Sequence, residues 1–232
     1  MHCLRFRCPP SASSGKLQRM HALITGGAGG IAQALFAVLQ ADGWTANAPP
    51  SAELDVTDPS SVARYFDGRS DDLVVCAAGI TRDMPLARMK PEDWDTVLEV
   101  NLTGAMRCAR AALPSMVARG SGHIIFLSSY SALHPPVGQA AYAAAKSALI
   151  GLTRSLAREV GCHGVRVNCV LPGFLETKMT ASVPAARRNA VLNEHVLGRF
   201  NTPEQVARFI RCLHTDMPNT SGQVFQLDSR IA

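Results

Sequence analysis

Tyr142 and Lys146 stand four residues apart in Tyr142-Ala143-Ala144-Ala145-Lys146, so on a helix a phenol and an ammonium share one face. A phenol titrates at about 10 and is a poor acid–base group at neutral pH, but a fixed positive charge beside it favours the phenolate. Moving it by about 3 units takes roughly 4 kcal/mol, within reach of a close ammonium aided by a cationic ligand. The spacing alone is common on helices, where it usually marks a surface tyrosine beside a solvated lysine. Here Ser128 and Ser129 close the apolar run His123-Ile124-Ile125-Phe126-Leu127, with Ser129 thirteen residues before Tyr142. A hydroxyl at the end of a parallel strand sits at the ligand crevice and can hydrogen-bond a developing alkoxide. The chemistry implied is proton exchange with a carbonyl or alcohol oxygen.

A second constellation is the turn Thr25-Gly26-Gly27-Ala28-Gly29-Gly30-Ile31-Ala32, lying between an apolar run and a helical pattern. Glycine lets the backbone turn tightly and approach a pyrophosphate, and a helix N-terminus supplies free N–H groups. As G-x-G-x-x-G/A the turn reads Gly27, Gly29, Ala32; with three intervening residues it reads Gly26, Gly30, Ala32. In isolation such a turn can equally serve to tighten a strand–helix connection.

These residues need a scaffold, and from Met20 onward strand-like runs alternate with helical ones. Strands are expected at 22–25, 44–48, 73–76, 123–127, 165–170 and 223–227, and helices at 31–40, 59–68, 91–118, 140–160 and 203–213. Asp58-Pro59, Lys90-Pro91-Glu92 and Thr202-Pro203-Glu204 read as helix starts. The pattern predicts an α/β fold: a single-domain, Rossmann-type, doubly wound parallel sheet flanked by helices. Between strands two and three the chain is short, because only residues 49–53 precede Leu54-Asp55-Val56, which resembles a third strand. A right-handed crossover needs a dozen or more residues, so either the intervening helix is reduced to a turn or that sheet edge is abnormal.

Bulk properties remove other classes. With 232 residues, 47% hydrophobic and 18% charged, the chain suits one globular domain over 20–232. The net charge of +5 owes most of its excess to Arg5, Arg7, Lys16 and Arg19, in an acid-free segment 1–19 expected to be a disordered extension. A nucleic-acid footprint is therefore not expected. Seven scattered cysteines without a C-x-x-C pair match a reducing compartment, and a cytoplasmic location is expected. No His/Cys cluster suggests a metal site, and no apolar run is long enough to predict a membrane span.

Over residues 20 to about 228 the chain resembles the short-chain dehydrogenase/reductase family. The resemblance rests on the turn from Thr25 to Ala32, Cys76-Ala77-Ala78-Gly79, Asn101-Leu102-Thr103-Gly104, Ser129, Tyr142 with Lys146, and Pro172-Gly173. It implies that Tyr142 is the general acid in reduction, that Lys146 holds the nicotinamide ribose and lowers the phenol's pKa, and that Ser129 polarises the carbonyl. Asn101 would help hold a water-linked proton relay. It further implies a nicotinamide cofactor bound by Gly26, Gly27, Gly29, Gly30, Ile31, Ser51, Cys76, Ala77, Ala78 and Gly79, together with Tyr142 and Lys146. Asp55 and Val56 would lie by the adenine, and Pro172, Gly173, Leu175 and Thr177 by the nicotinamide.

The stretches AGITRDMPLARMK, GQAAYAAAKSALIGLTRSLAREV and VNCVLPGFLETKMT are similar to 3-oxoacyl-[acyl-carrier-protein] reductases, and Ser182 to Phe200 to their substrate-side helix region. The activity implied is reduction of a 3-oxoacyl thioester, on an acyl-carrier protein or CoA, by a homotetramer or dimer. A reductase or dehydrogenase of free ketones and secondary alcohols stays open. So does a non-catalytic nucleotide-binding subunit, because Cys76-Ala77 replaces two asparagines and the 49–54 segment is clipped. Neither an acid nor a base follows the second strand, where Pro49-Pro50-Ser51 stands. Ser51, able to donate to a phosphate, favours NADP(H) slightly over NAD(H). Carrier proteins are acidic, and Arg82, Arg88 and Arg119 are the expected basic contacts.

Overall fold

The computed structural model describes residues 19–231, so the expectation for 1–19 falls, Arg19 apart, outside the described residues. Six strands, β1 (His21–Ile24), β2 (Thr45–Asn47), β3 (Leu73–Cys76), β4 (Gly122–Leu127), β5 (Val165–Leu171) and β6 (Val224–Gln226), form one parallel sheet in the order β2-β1-β3-β4-β5-β6. Among the described residues seven α-helices connect them: α1 (Gly30–Ala41), α2 (Pro59–Phe66), α3 (Pro91–Leu98), α4 (Gly104–Arg119), α5 (Ala140–Val160), α6 (Ala185–Asn193) and α7 (Pro203–Thr215). The strands are nearly continuous apolar runs because both sheet faces are covered. Leu23, Val74, Ile124 and Val167 point into a core shared with Cys108 and Met116 of α4 and Leu149 of α5. Their neighbours Ile24, Val75, Ile125 and Val170 face the opposite core, with Leu35 of α1 and Ile210 of α7.

Register brings the chemistry together. Ile24 pairs with Val75, Val75 with Ile125 and Ile125 with Asn168, so the C-terminal ends of β1, β3, β4 and β5 lie along one edge. The glycine turn, Ala77 to Gly79, Ser128-Ser129 and Pro172-Gly173 all leave the sheet there. The chain order reverses between β1 and β3, the switch point where such sheets open a crevice.

Two expectations are corrected. Leu54-Asp55-Val56 is not a strand: it lies in a stretch of turns, with Leu54 and Val56 buried in the α4-side core and Asp55 exposed. Five residues cannot carry a crossover that would lay a new strand beside β2, so the alternating pattern serves to pack the end of the sheet and β2 is the edge. The helix expected over 91–118 is interrupted by a π-helical turn, Glu99–Thr103, between α3 and α4. Gly104, just after that turn, lies so close to Val56 that an added Cβ would stand 2.6 Å from Val56 Cγ2. Of the predicted starts, Asp58 accepts the Ser60 N–H at 2.8 Å, and Thr202 with Gln205 closes a reciprocal capping box. Lys90 makes no side-chain cap.

Candidate active site

A cleft of about 1180 Å³ runs along this edge, from the N-terminus of α1 to Tyr142. Of the residues expected to hold the cofactor, Gly29, Gly30, Ile31, Ala77, Gly79, Pro172, Gly173, Leu175 and Thr177 line it. Gly26 takes a left-handed φ of +71°, and an added Cβ would stand 2.7 Å from Ala78 Cα, so only glycine lets β1 and β3 end this close together. Gly29 caps α1 without a side-chain bond, and the first turn holds no acid. Its N–H groups and the positive end of the helix dipole are left to an anion. This glycine cradle fits the pyrophosphate of a dinucleotide.

The reacting end is assembled from β4 and α5. Ser128 donates its hydroxyl to the Lys146 carbonyl at 2.8 Å and is buried, so it braces strand against helix. Ser129, one residue on, faces the cleft, and its hydroxyl lies beside the Tyr142 phenol. It also accepts the Ser131 N–H at 3.2 Å, and Ser131 in turn donates to Gln139, which donates to Asp83. Lys146 is buried, donates from Nζ to the Leu127 carbonyl at 2.8 Å and stands 5.6 Å from the centre of the Tyr142 ring. Burial brings its ammonium down to about 8.

The phenol departs from expectation. Burial pushes the Tyr142 phenol above its ordinary value; the Ser129 hydrogen bond works against that rise and Asp83 adds to it. Lys146 does not reverse this, because its ammonium is desolvated and turned onto Leu127. In the protein alone Tyr142 is therefore firmly protonated, the state a proton donor needs.

Asn101 lies in the π-helical turn and is fully buried. Its Nδ2 donates to the carbonyls of Ile80 at 2.9 Å and Val97 at 2.8 Å, while Oδ1 has no partner. A Cβ on Gly79 would stand 2.8 Å from that Oδ1 and 3.5 Å from Lys146 Nζ, so Asn101 and Lys146 converge on Gly79. A buried, unpartnered acceptor beside an ammonium is a place for an ordered water.

The remaining expected contacts lie off the cleft wall. Cys76 is buried and turned toward the Ala105 carbonyl at 3.6 Å, and burial pushes its thiol well up. Thr25 takes over the bracing expected of the asparagines that Cys76-Ala77 replaces: its Oγ1 accepts the N–H groups of Ala77 at 3.0 Å and Ala78 at 3.1 Å. Gly27 donates its N–H to the Pro49 carbonyl at 3.0 Å, and a Cβ there would stand 2.0 Å from Ala48 O. The clipped segment thus folds onto the turn. Ser51 is exposed beyond it. Asp55 Oδ1 accepts the Thr57 N–H and hydroxyl at 2.9 and 2.7 Å, a local turn leading into α2. Val56 packs on Gly104.

Sequence reasoning missed the far wall, where Tyr130, Lys178, Arg187, Glu194 and Arg230 line the cleft. Resemblance marked only the segments: Lys178 lies in VNCVLPGFLETKMT, and Arg187 and Glu194 lie in Ser182 to Phe200, whereas Tyr130 had only its position after Ser129. Arg119, expected as a carrier contact, is bound to Ser70 and to the Asp71 carbonyl near the start of β3, at the opposite sheet edge.

Comparison with known proteins decides the family. A family described as enoyl-(acyl carrier protein) reductase matches residues 31–229. The 3-oxoacyl-[acyl-carrier-protein] reductase FabG of Thermotoga maritima is 37% identical, over 92% of this chain and 98% of that protein. The chain belongs to the short-chain dehydrogenase/reductase family. Other reductases of the same name, from Escherichia coli and Pseudomonas aeruginosa, are 36% and 38% identical over 84% and 86% of this family member, and over 89% and 92% of their own lengths. Among the described residues no helix of this short-chain dehydrogenase/reductase is long and apolar enough to cross a membrane.

Proposed function

We propose that the protein reduces the 3-keto group of a 3-oxoacyl thioester to the 3-hydroxyacyl form, using a nicotinamide cofactor. The observation that carries this reading is the meeting of Ser129, Tyr142 and buried Lys146 in the same cleft as a glycine-lined helix N-terminus. When bound, the reduced nicotinamide supplies the hydride to the carbonyl carbon. Ser129 donates a hydrogen bond to the carbonyl oxygen, and Tyr142 gives that oxygen its proton as the C=O bond becomes C–OH. The Lys146 ammonium stabilises the phenolate left behind, and Asn101 with an ordered water returns the proton. Gly29, Gly30 and Ile31 would cradle the pyrophosphate, with Gly26 and Gly27 shaping the turn behind them, while Ala77, Gly79, Pro172, Gly173, Leu175 and Thr177 would shape the nicotinamide end.

NADP(H) is the favoured form, on the lack of an acid directly after β2. An acyl-carrier protein or CoA carries the acyl group, with Lys178 and Arg187 on the cleft wall as basic contacts for an acidic carrier. Ala144, Ser147, Gly151, Arg154 and Arg158 form an exposed face of α5 at helical spacing, suited to self-association into a dimer or tetramer. Light scattering on the purified chain tests that assembly.

The deciding experiment measures oxidation of NADPH and of NADH with an acetoacetyl thioester and with small free ketones. Thioester turnover well above ketone turnover, fastest with NADPH, is expected. The Tyr142→Phe variant should bind cofactor yet lose about 10²–10⁴-fold in kcat/KM. Equal rates for that variant and the wild type on every carbonyl would remove Tyr142 from the chemistry.

A further inference from the structure

Beyond β6 the chain turns back across the sheet edge, and Arg230 ties three parts of the cleft wall together. Its guanidinium lies flat on Tyr130, 3.3 Å from the ring centre, and Tyr130 directly follows Ser129. Two of its nitrogens, Nε and Nη2, donate to Asp228 at 2.8 and 2.5 Å, and Nη1 stands 3.8 Å from Glu194 just after α6. Asp228 itself abuts Gly173, since a Cβ there would stand 2.7 Å from Asp228 Cβ. The tail is held in place: Arg230 forms an antiparallel bridge with His195, and the Val196 N–H donates to the Ser229 carbonyl at 3.1 Å. Arg230 is 9% exposed, so this end is closed. Elsewhere the cleft wall is open, with Val137 98% and Leu133 48% exposed on it.

We propose that Arg230, stacked on Tyr130 and paired with Asp228 and Glu194, is the end wall that limits the length of the acyl chain. This rests on the thioester reading above. A carrier-bound substrate with its keto oxygen on Ser129 and Tyr142 has two arms. The arm that leads to the carrier must leave by the open mouth, so the alkyl arm takes the closed direction past Tyr130. There it meets a guanidinium and two carboxylates. An extended alkyl chain gains nothing by contact with the buried Arg230–Asp228 ion pair, and displacing it would leave a buried ion without a partner. Short acyl groups stop before the wall.

The test compares kcat/KM for 3-oxobutanoyl and 3-oxooctanoyl thioesters in the wild type, Arg230→Gly and Arg230→Met. The wild type should prefer the shorter substrate. Arg230→Gly, which opens space, should raise the long-to-short ratio by about tenfold or more, and Arg230→Met, which keeps bulk but removes charge, by less. The ratio is read within each variant, so a uniform loss from a loosened tail does not mimic the effect. A wild type that turns over both substrates equally overturns the proposal without any variant. So does an unchanged ratio in folded Arg230→Gly. A wild type inert toward every thioester while reducing free ketones overturns the thioester reading and this inference with it.

Discussion

At the scale of single residues, two adjacent serines have been given different work by one step along the chain. Ser128 spends its hydroxyl on the Lys146 carbonyl, whereas Ser129 lies beside Tyr142 in the cleft. Ser129→Ala should therefore lower kcat/KM by about 10²-fold or more with little change in thermal midpoint. Ser128→Ala should instead cost about 0.5–1.5 kcal/mol of stability, the net worth of one buried hydrogen bond, since the Lys146 carbonyl lies within α5 and keeps its helical donor. Opposite results in activity and calorimetric assays would exchange the two roles. The Lys146 ammonium, held at about 8 by burial, makes a second measurement specific. Below about 8 it is charged and supports the departing proton; above, it is neutral. The kcat/KM for reduction should fall as pH rises through about 8, because that ratio reports groups of the free enzyme. A profile flat to pH of about 10 would separate Lys146 from the proton step.

At the scale of elements, the strands were legible because burial on both faces makes β3 wholly, and β4 and β5 mostly, apolar. The turn at Gly26 was legible for the same kind of reason, since few residues tolerate its backbone. What was not legible needed contacts distant in sequence. Leu54 and Val56 alternate with Asp55 as a strand would, and only the length of the preceding connection says that no strand can form. The π-helical turn at Asn101 keeps the helical hydrophobic spacing of its neighbours, so periodicity reads α3 and α4 as one helix. The cleft wall at Glu194 and Arg230 joins a helix end to a tail. Within the glycine turn itself, space separates two residues that look alike in sequence. Gly27 is closed, with Ala48 O 2.0 Å from an added Cβ, while Gly29 meets only Gly26 O, at 3.2 Å, and has an ordinary φ of −77°. Gly27→Ala should pull the Pro49 segment off the turn and abolish cofactor binding. Gly29→Arg should fold normally and raise the NADPH-to-NADH ratio of kcat/KM, because a guanidinium at the helix N-terminus adds attraction for a phosphate. Isothermal titration with both cofactors checks the pair.

At the scale of the whole molecule, the two edges of the sheet respond to pH in different ranges. The C-terminal edge carries the cleft and the Lys146 limb. The opposite edge holds two stacked histidines, His123 at the start of β4 and His214 in α7, with ring centres 5.5 Å apart. Asn168 of β5 contacts His123 Nε2 at 2.9 Å, Trp44 meets His214 edge-on at 5.1 Å, and Arg166 donates to the His214 carbonyl. Neither Nδ1 has a partner. Burial, then the Arg166 charge, brings His214 from 6.5 to about 4, with Asp72 opposing, and burial pushes His123 well below its ordinary value too. The folded state therefore keeps both rings neutral where the unfolded chain would take up protons. Stability is complete above about 6.5 and is lost as pH falls toward about 4, with His214 alone responsible for roughly 3 kcal/mol. His214→Phe keeps a ring against His123 and Trp44 but removes the titration. Its unfolding free energy should fall less steeply than the wild type's between about pH 7 and pH 4, while the activity limb near 8 stays where it was. Equal acid slopes in the two proteins would place the acid sensitivity elsewhere.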